Sequence, residues 1–115
     1  MHRGDIVRLR HMLDAAREAQ GFAATRSRSD LDHDRQLLLA LVKAVEIIGE
    51  AATRVSIETR LEHPAIPWQD IVAMRHRLTH GYYDIDLDIV WSTVTEDLPP
   101  LAEELDAVLT SARQP

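Results

Sequence analysis

The sequence predicts an all-α protein folded as an antiparallel bundle of four or five helices. Apolar residues recur at intervals of three and four positions along most of the chain, as on one face of an amphipathic helix, and no segment alternates like a strand. Short polar or proline-containing segments separate these periodic stretches. A chain of 115 residues can bury one helical core, so we expect residues 1–115 to form a single domain.

The first predicted helix begins at Ile6 and ends in the segment 21–24, where the apolar periodicity stops. The segment 25–30 is polar and rich in serine and arginine, which is typical of a loop. Ser29 or Asp30 can cap the helix that follows.

The second predicted helix is the longest and runs roughly from Asp34 to Ser56. Gly49 lies inside it, where glycine costs about 1 kcal/mol relative to alanine. The close approach of another helix would compensate for that cost. The expected core positions of this helix are Leu37, Leu38, Leu41, Val45, Ile48, Ala52 and Val55.

Two further helices are predicted in the second half of the chain. Prolines within residues 63–68 interrupt regular structure, and a third helix extends from about Trp68 to His80, with Gly81 as its stop. The acidic segment 84–88 precedes a fourth helix, where carboxylates favour the N-terminal end of the helix dipole. Pro99-Pro100 should kink or restart this helix, which then continues towards the end of the chain.

Composition limits where the protein acts and what it binds. The chain has no cysteine, no apolar signal segment at its N-terminus and no apolar run near the ~20 residues of a membrane span, so we expect a cytoplasmic protein. The net charge of −6 argues against nucleic acid as a ligand. However, residues 81–115 contain eight acidic residues and one arginine, whereas residues 1–40 contain seven arginines and six acidic residues. A surface suited to nucleic acid therefore remains possible in the first two thirds of the chain.

The densest group of titratable side chains lies between Arg75 and Tyr82 and includes His76 and His80. On an ideal helix the two histidines share a face, whereas Arg75 and His80 point about 140° apart. Arg75 could meet His80 through its length, through a distorted helix end or in a second copy of the chain. Alternatively, the histidines are solvated residues that favour a helix C-terminus, or they form a zinc site, although no third ligand follows at a suitable spacing.

The chemistry that suits this group is cleavage of RNA without a metal ion. Attack by a 2′-hydroxyl on the neighbouring phosphorus needs groups that accept and donate protons and a cation for the phosphate oxygens. Histidine titrates near neutral pH, and the planar guanidinium of arginine binds phosphate oxygens with two donors. DNA lacks the 2′-hydroxyl and would not react in this way.

Several segments together resemble the HepT-like toxins of the HEPN superfamily. They are residues 8–15, residues 46–52, residues 66–68, the pattern Arg75-x4-His80-x-Tyr82, Asp86 and Val90-Trp91. The resemblance implies antiparallel helices, a homodimer that brings two motifs together, and endoribonuclease activity without a metal or other cofactor. It also implies a partner, a minimal nucleotidyltransferase antitoxin, which adenylates the tyrosine at the position of Tyr82.

On this basis we assign Arg75 and His80 as catalytic residues, His76 as a supporting residue and Tyr82 as the position of adenylation. The family usually has asparagine where this chain has His76. The alternative function is a helical dimer without activity that serves as a binding or regulatory partner of a nucleotidyltransferase.

Other prominent residues are expected to have structural roles. Glu50 and Arg54 should form an exposed helix pair, and Trp68 and Trp91 should lie in the core or in an interface. We expect most of the N-terminal arginines to lie on a solvated face, and some of these arginines could contact RNA. They are Arg8, Arg10, Arg17, Arg26 and Arg28.

Overall fold

A computed structural model describes residues 1–80 and 84–113, and these residues form an all-α structure, as predicted. A π-helical turn, Thr93–Asp97, makes the last two helices continuous, so the chain forms five helical rods. Within the described residues the one β interaction is an isolated antiparallel bridge between Thr79 and Ile85. The α-helices are α1 (Arg3–Ala23), α2 (Arg35–Thr53), α3 (Ile57–Glu62), α4 (Trp68–Arg77), α5 (Leu87–Ser92) and α6 (Leu98–Arg113).

An antiparallel pair formed by α1 and α2 is the centre of the structure. α4 packs against α2, and α6 packs against α1. Arg17 of α1 lies 3.4 Å from Asp106 of α6 and forms an ion pair across that contact. The side chains that bury the largest volumes come from these helices and the segments between them; they are Leu9, Met12, Leu13, Leu41, Val45, Ile48, Ile66, Ile71, Leu78, Leu98, Leu105 and Leu109. No described helix has the length and apolar character needed to cross a membrane.

The connection between α1 and α2 contains a 3₁₀ helix, Arg28–Asp32, that the sequence did not predict. Asp34, rather than Ser29 or Asp30, caps α2, because its Oδ1 accepts a hydrogen bond from Leu37 N at 3.0 Å. The guanidinium of Arg26 contacts Asp34 at 2.8 Å and Asp30 at 3.2 Å. These contacts stabilise the turn, so Arg26 is a structural residue and not part of a solvated face.

The end of α2 differs from the prediction. The helix ends at Thr53, and Ser56 begins α3 instead, because the Ser56 hydroxyl accepts a hydrogen bond from Thr59 N at 3.3 Å. Asp5 of α1 reaches this point: its carboxylate accepts hydrogen bonds from Ser56 N at 2.9 Å, Ser56 Oγ at 2.6 Å and Thr59 Oγ1 at 2.6 Å. The start of α1 therefore lies beside the end of α2.

Gly49 permits the close approach of α4 to α2, as its position inside a helix suggested. A Cβ atom at residue 49 would lie 3.4 Å from the carbonyl oxygen of Ile71. Trp68, the first residue of α4, is buried in the core, and its indole Nε1 donates a hydrogen bond to His63 O at 3.0 Å. This contact confirms that Trp68 has a packing role.

The helix continues through Pro99-Pro100 rather than restarting. Prolines have no N–H group, so the carbonyls of Thr95 and Glu96 cannot receive the usual helical hydrogen bonds from them. The π turn immediately precedes the prolines, and Leu98 N bonds to Thr93 O across it. The irregularity that the sequence predicted is therefore a widened turn.

Asp5 should make a measurable contribution to stability. Burial alone would raise the pKa of Asp5, but hydrogen bonds from Ser56 and Thr59 outweigh burial and hold its pKa below the ordinary value. A lowered folded-state pKa stabilises the fold above the unfolded value, about 3.9, and this stabilisation is lost as the pH falls through the folded value.

We predict that Asp5→Asn lowers the free energy of unfolding by about 1–3 kcal/mol at pH 7, since an amide cannot accept all of these hydrogen bonds. The difference from the parent should shrink as the pH falls from about 4 through the lowered pKa of Asp5, because the unfolded chain and then the folded parent take up the proton. Urea denaturation followed by circular dichroism, at pH 7 and again below the lowered pKa of Asp5, measures the free energy of unfolding of the parent and the variant. Asp14→Asn, on the exposed face of the same helix, is the control, and equal midpoints for the two variants would contradict the role of Asp5.

Candidate functional site

The prediction that α4 extends to His80 is wrong, because the chain leaves the helix after Arg77. Asp86 N donates a hydrogen bond to Leu78 O at 2.7 Å, and His80 N donates to Asp84 O at 2.7 Å. These bonds hold Leu78 to His80 against residues 84–86. His76 and His80 therefore do not share a helix face. Gly81, the predicted stop, lies outside the described residues.

His80 contacts a carboxylate that the sequence did not identify as part of the site. Its Nε2 lies 3.2 Å from Asp86 Oδ2, and Asp86 Oδ1 accepts a hydrogen bond from Ile89 N at 3.1 Å. Asp86 thus caps α5 and orients the imidazole with one carboxylate. The hydrogen bond from Ile89 and then the one from His80 hold the pKa of Asp86 below its usual range. Asp86 is therefore ionised at neutral pH, and its carboxylate holds the His80 ring in place through this contact.

Asp86 was expected only to favour the dipole of the following helix. The cap confirms that expectation, but the contact with His80 depends on the pairing of residues 78–80 with residues 84–86. A helical pattern carries no information about such a reversal. The available signal was an acidic helix cap six residues after the histidine of the motif.

Arg75 lies on α4 and lines a cleft of about 400 Å³ between α1 and α2. His76 lies beside it and shares with Arg75 a smaller cavity of about 100 Å³ next to Gly49. Neither cavity includes His80 among its lining residues. Within one copy, the structure thus groups Arg75 with His76 and groups His80 with Asp86. The other residues that line the larger cleft are Arg8, His11, Lys43, Glu46, Ile47, Glu50, Ala51 and Arg54.

This cleft carries more positive than negative charge. Its four cationic side chains face two carboxylates. Arg54 Nη2 lies 3.3 Å from Glu50 Oε1, which confirms the predicted pair, and Lys43 Nζ lies 4.0 Å from Glu46 Oε2. Arg75 makes no ion pair or side-chain hydrogen bond with any described residue. Its guanidinium is thus available to an anionic ligand.

The site offers two chemical capacities. The Asp86–His80 pair can hold and transfer a proton, and the guanidinium of Arg75 can stabilise an anion. Among the described residues, no three histidine or carboxylate side chains lie close enough together to hold a metal ion. Tyr82, the predicted position of adenylation, lies outside the described residues.

Comparison with known proteins supports one family. Residues 12–108 match the model of the family described as "Ribonuclease HepT-like". A protein of Thermococcus cleftensis named "Probable ribonuclease HepT" is 40% identical over 68 residues, which are 59% of this chain and 62% of that relative. One of Methanocaldococcus jannaschii named "Putative RNase MJ1380" is 30% identical over 84% of this chain and 89% of its own length. No solved structure matches the chain significantly.

The two roles of Asp86 can be separated by substitution. We predict that Asp86→Asn keeps α5 capped, because the asparagine side-chain oxygen can accept the hydrogen bond from Ile89 N as the carboxylate does. Asp86→Ala removes this cap, so the alanine variant should unfold at a lower temperature than the parent at pH 7. Because the pKa of Asp86 is lowered, the ionised carboxylate stabilises the fold above about pH 4, and this stabilisation is lost as the pH falls through the lowered pKa. The melting temperatures of the alanine and asparagine variants should therefore fall less on acidification than that of the parent. Thermal melts at pH 7 and pH 3 measure both effects, with the exposed Asp84→Asn as the control. If the alanine variant has the same melting temperature as the parent at pH 7, the Asp86 cap does not contribute to stability.

Proposed function

Because the chain belongs to the HepT-like ribonuclease family, we propose that it is an endoribonuclease that cleaves RNA without a metal ion, with Arg75 and His80 as its catalytic residues. The observation that carries this proposal is the His80–Asp86 contact of 3.2 Å. It holds an imidazole, the side chain suited to proton transfer at neutral pH, five residues after an arginine that lines a basic cleft.

In the proposed reaction the ribose 2′-oxygen attacks the adjacent phosphorus and the bond to the 5′-oxygen breaks. One group removes the proton of the 2′-hydroxyl, and another group donates a proton to the departing 5′-oxygen. The products are a 2′,3′-cyclic phosphate and a 5′-hydroxyl end. Arg75 binds the non-bridging oxygens, where negative charge increases in the transition state.

The two proton transfers require two groups, and each copy has one His80. His80 supplies one of them, with its ring oriented by Asp86. The second comes from His76 beside Arg75 or from His80 of another copy. Since Arg75 and His80 do not line a common cavity in one chain, we propose a homodimer in which two motifs form a shared cleft.

We further propose that this ribonuclease is the toxin of a toxin–antitoxin pair. In the HepT-like family the partner is a nucleotidyltransferase that adenylates a tyrosine, and Tyr82 occupies that position. An adenylate two residues after His80 would add a phosphate that competes with RNA for Arg75. On co-expression with a nucleotidyltransferase encoded beside this gene, mass spectrometry should detect adenylate on the peptide that contains Tyr82, and Tyr82→Phe should remain toxic. If the phenylalanine variant is neutralised as well as the parent, the antitoxin acts by binding alone.

The catalytic assignment predicts large losses of cleavage for two variants. His80→Ala should lower the rate by about 100- to 10,000-fold, because a proton-transfer group is removed. Arg75→Lys should also lose most activity, since an ammonium group cannot bind two phosphate oxygens with a planar fork. The assay is cleavage of an RNA oligonucleotide in the presence of a chelator, with cyclic-phosphate ends identified by mass spectrometry.

His33→Ala and Arg17→Lys are the matched controls, because both residues are exposed and lie away from the cleft. Near-parental cleavage by either catalytic variant, with an unchanged circular dichroism spectrum, would place the active site elsewhere. A parent that is folded but cuts no RNA would favour the alternative function, a binding partner of the nucleotidyltransferase.

Mixing the same two variants tests the dimer. If Arg75 of one chain works with His80 of the other, a heterodimer of Arg75→Lys and His80→Ala chains retains one intact site, and the mixture regains activity. If each site uses both residues of one chain, both sites in the heterodimer are defective and no activity returns. Analytical ultracentrifugation of the parent should show a dimer at micromolar concentration.

A further inference from the structure

The cleft between α1 and α2 extends beyond Arg75 and is lined by residues that the catalytic step does not use. Arg8 and His11 form the α1 wall, Lys43 lies on α2, and Arg54 directly follows the last residue of α2. We propose that this cleft binds the phosphates of a single RNA strand on one side of the cleaved bond. The identity of the ligand as RNA rests on the proposed function.

The charge of the cleft supports an anionic ligand. The protein has a net charge of −6, yet this cleft contains two more cationic side chains than carboxylates, with His11 in addition. Arg54 already neutralises Glu50 at 3.3 Å. Arg8, like Arg75, makes no ion pair with any described residue although it is partly buried.

Arg26 and Arg28, two other arginines of the N-terminal half, differ in this respect. Arg28 contacts Asp88 at 2.6 Å and Asp32 at 3.1 Å, and Arg26 binds two aspartates. Those arginines stabilise the fold through local carboxylates. Arg8 contributes to no such contact, so its charge lines the cleft without an ion pair to any described residue.

The dimensions and the floor of the cleft favour a single strand. Lys43 lies on α2 and Arg54 directly follows its last residue, eleven positions later, which places the two about 16 Å apart along the helix axis and leaves room for more than one phosphate. The side chains of Ile47 and Ala51 lie between them, and Ile47 is 38% exposed. A base or ribose of a single strand can contact this apolar strip, whereas a duplex is too wide to enter a groove between two packed helices.

Binding of a 2′-O-methyl RNA oligonucleotide tests the proposal, because that ligand lacks the attacking hydroxyl and is not cut. Fluorescence anisotropy over a range of salt concentrations gives the number of phosphates neutralised. Arg8→Gln and Lys43→Gln should each lower the salt slope by about 0.7 and the affinity about five-fold at 0.1 M salt, since each removes one phosphate contact. Glu46→Gln should increase the affinity.

Arg17→Gln is the matched control, because Arg17 lies on the same helix but pairs with Asp106 on α6. Circular dichroism checks the fold of each variant, and Arg8→Lys should restore binding. Salt slopes that are unchanged in both cleft variants would overturn the proposal. Equal affinity for a duplex, or complete competition by inorganic phosphate at the same concentration, would overturn its single-strand part.

A cleavage assay separates this proposal from the catalytic one. A dinucleotide has one phosphate, so Arg8→Gln should raise the KM for a long strand much more than the KM for a dinucleotide, whereas the control Arg17→Gln should change neither. If Arg75→Lys and His80→Ala still cleave RNA while the Arg8 and Lys43 variants bind it weakly, the catalytic assignment fails and the phosphate cleft stands. If catalysis depends on Arg75 and His80 but binding does not depend on Arg8 or Lys43, the catalytic assignment stands and the phosphate cleft fails.

Discussion

The reversal of the chain between α4 and α5 is the constraint on which the candidate site and the C-terminal half of the bundle depend. Two backbone hydrogen bonds of 2.7 Å hold residues 78–80 against residues 84–86. They end α4, fix the direction of α5 and bring His80 to the carboxylate of Asp86. Because Asp86 also caps α5, the geometry of a proton-transfer group is coupled to the start of a helix. A substitution at Asp86 therefore alters two properties unless it preserves the cap.

The distribution of ion pairs explains how an acidic protein can retain a cleft with more cationic side chains than carboxylates. Arg26 and Arg28 bind carboxylates of the α1–α2 connection and of α5, so they serve the fold. Arg8 and Arg75 line the cleft and have no such partners among the described residues. Net charge counts both kinds of arginine equally. Whether a charge is available to a ligand depends on its neighbours in space, which composition does not contain.

Helical periodicity predicted the α-helical class, the positions of the long helices and the close approach at Gly49, because these features depend on residues within one helix and its buried face. It failed where distant residues decide the structure. The end of α2 and the start of α3 depend on Asp5, 51 residues before Ser56. The end of α4 depends on the pairing of Thr79 with Ile85. Arg75 and His80 were predicted from their chemistry and motif, and helical geometry already indicated that they point apart, but the contact of His80 with Asp86 required the structure.

That separation bears on how the proposed enzyme is controlled. Arg75 lies on a helix packed against α2, where Gly49 allows close contact, whereas His80 lies in the chain reversal and depends on Asp86 for its orientation. Arg75 is therefore positioned by helix packing, whereas the orientation of the exposed His80 side chain depends on its contact with Asp86 beside the buried Leu78. If two copies combine these two residues, assembly creates a site that neither chain has alone. Activity of the proposed enzyme would then depend on dimer formation as well as on chemistry, so a partner that keeps the two copies apart would inactivate it without touching His80.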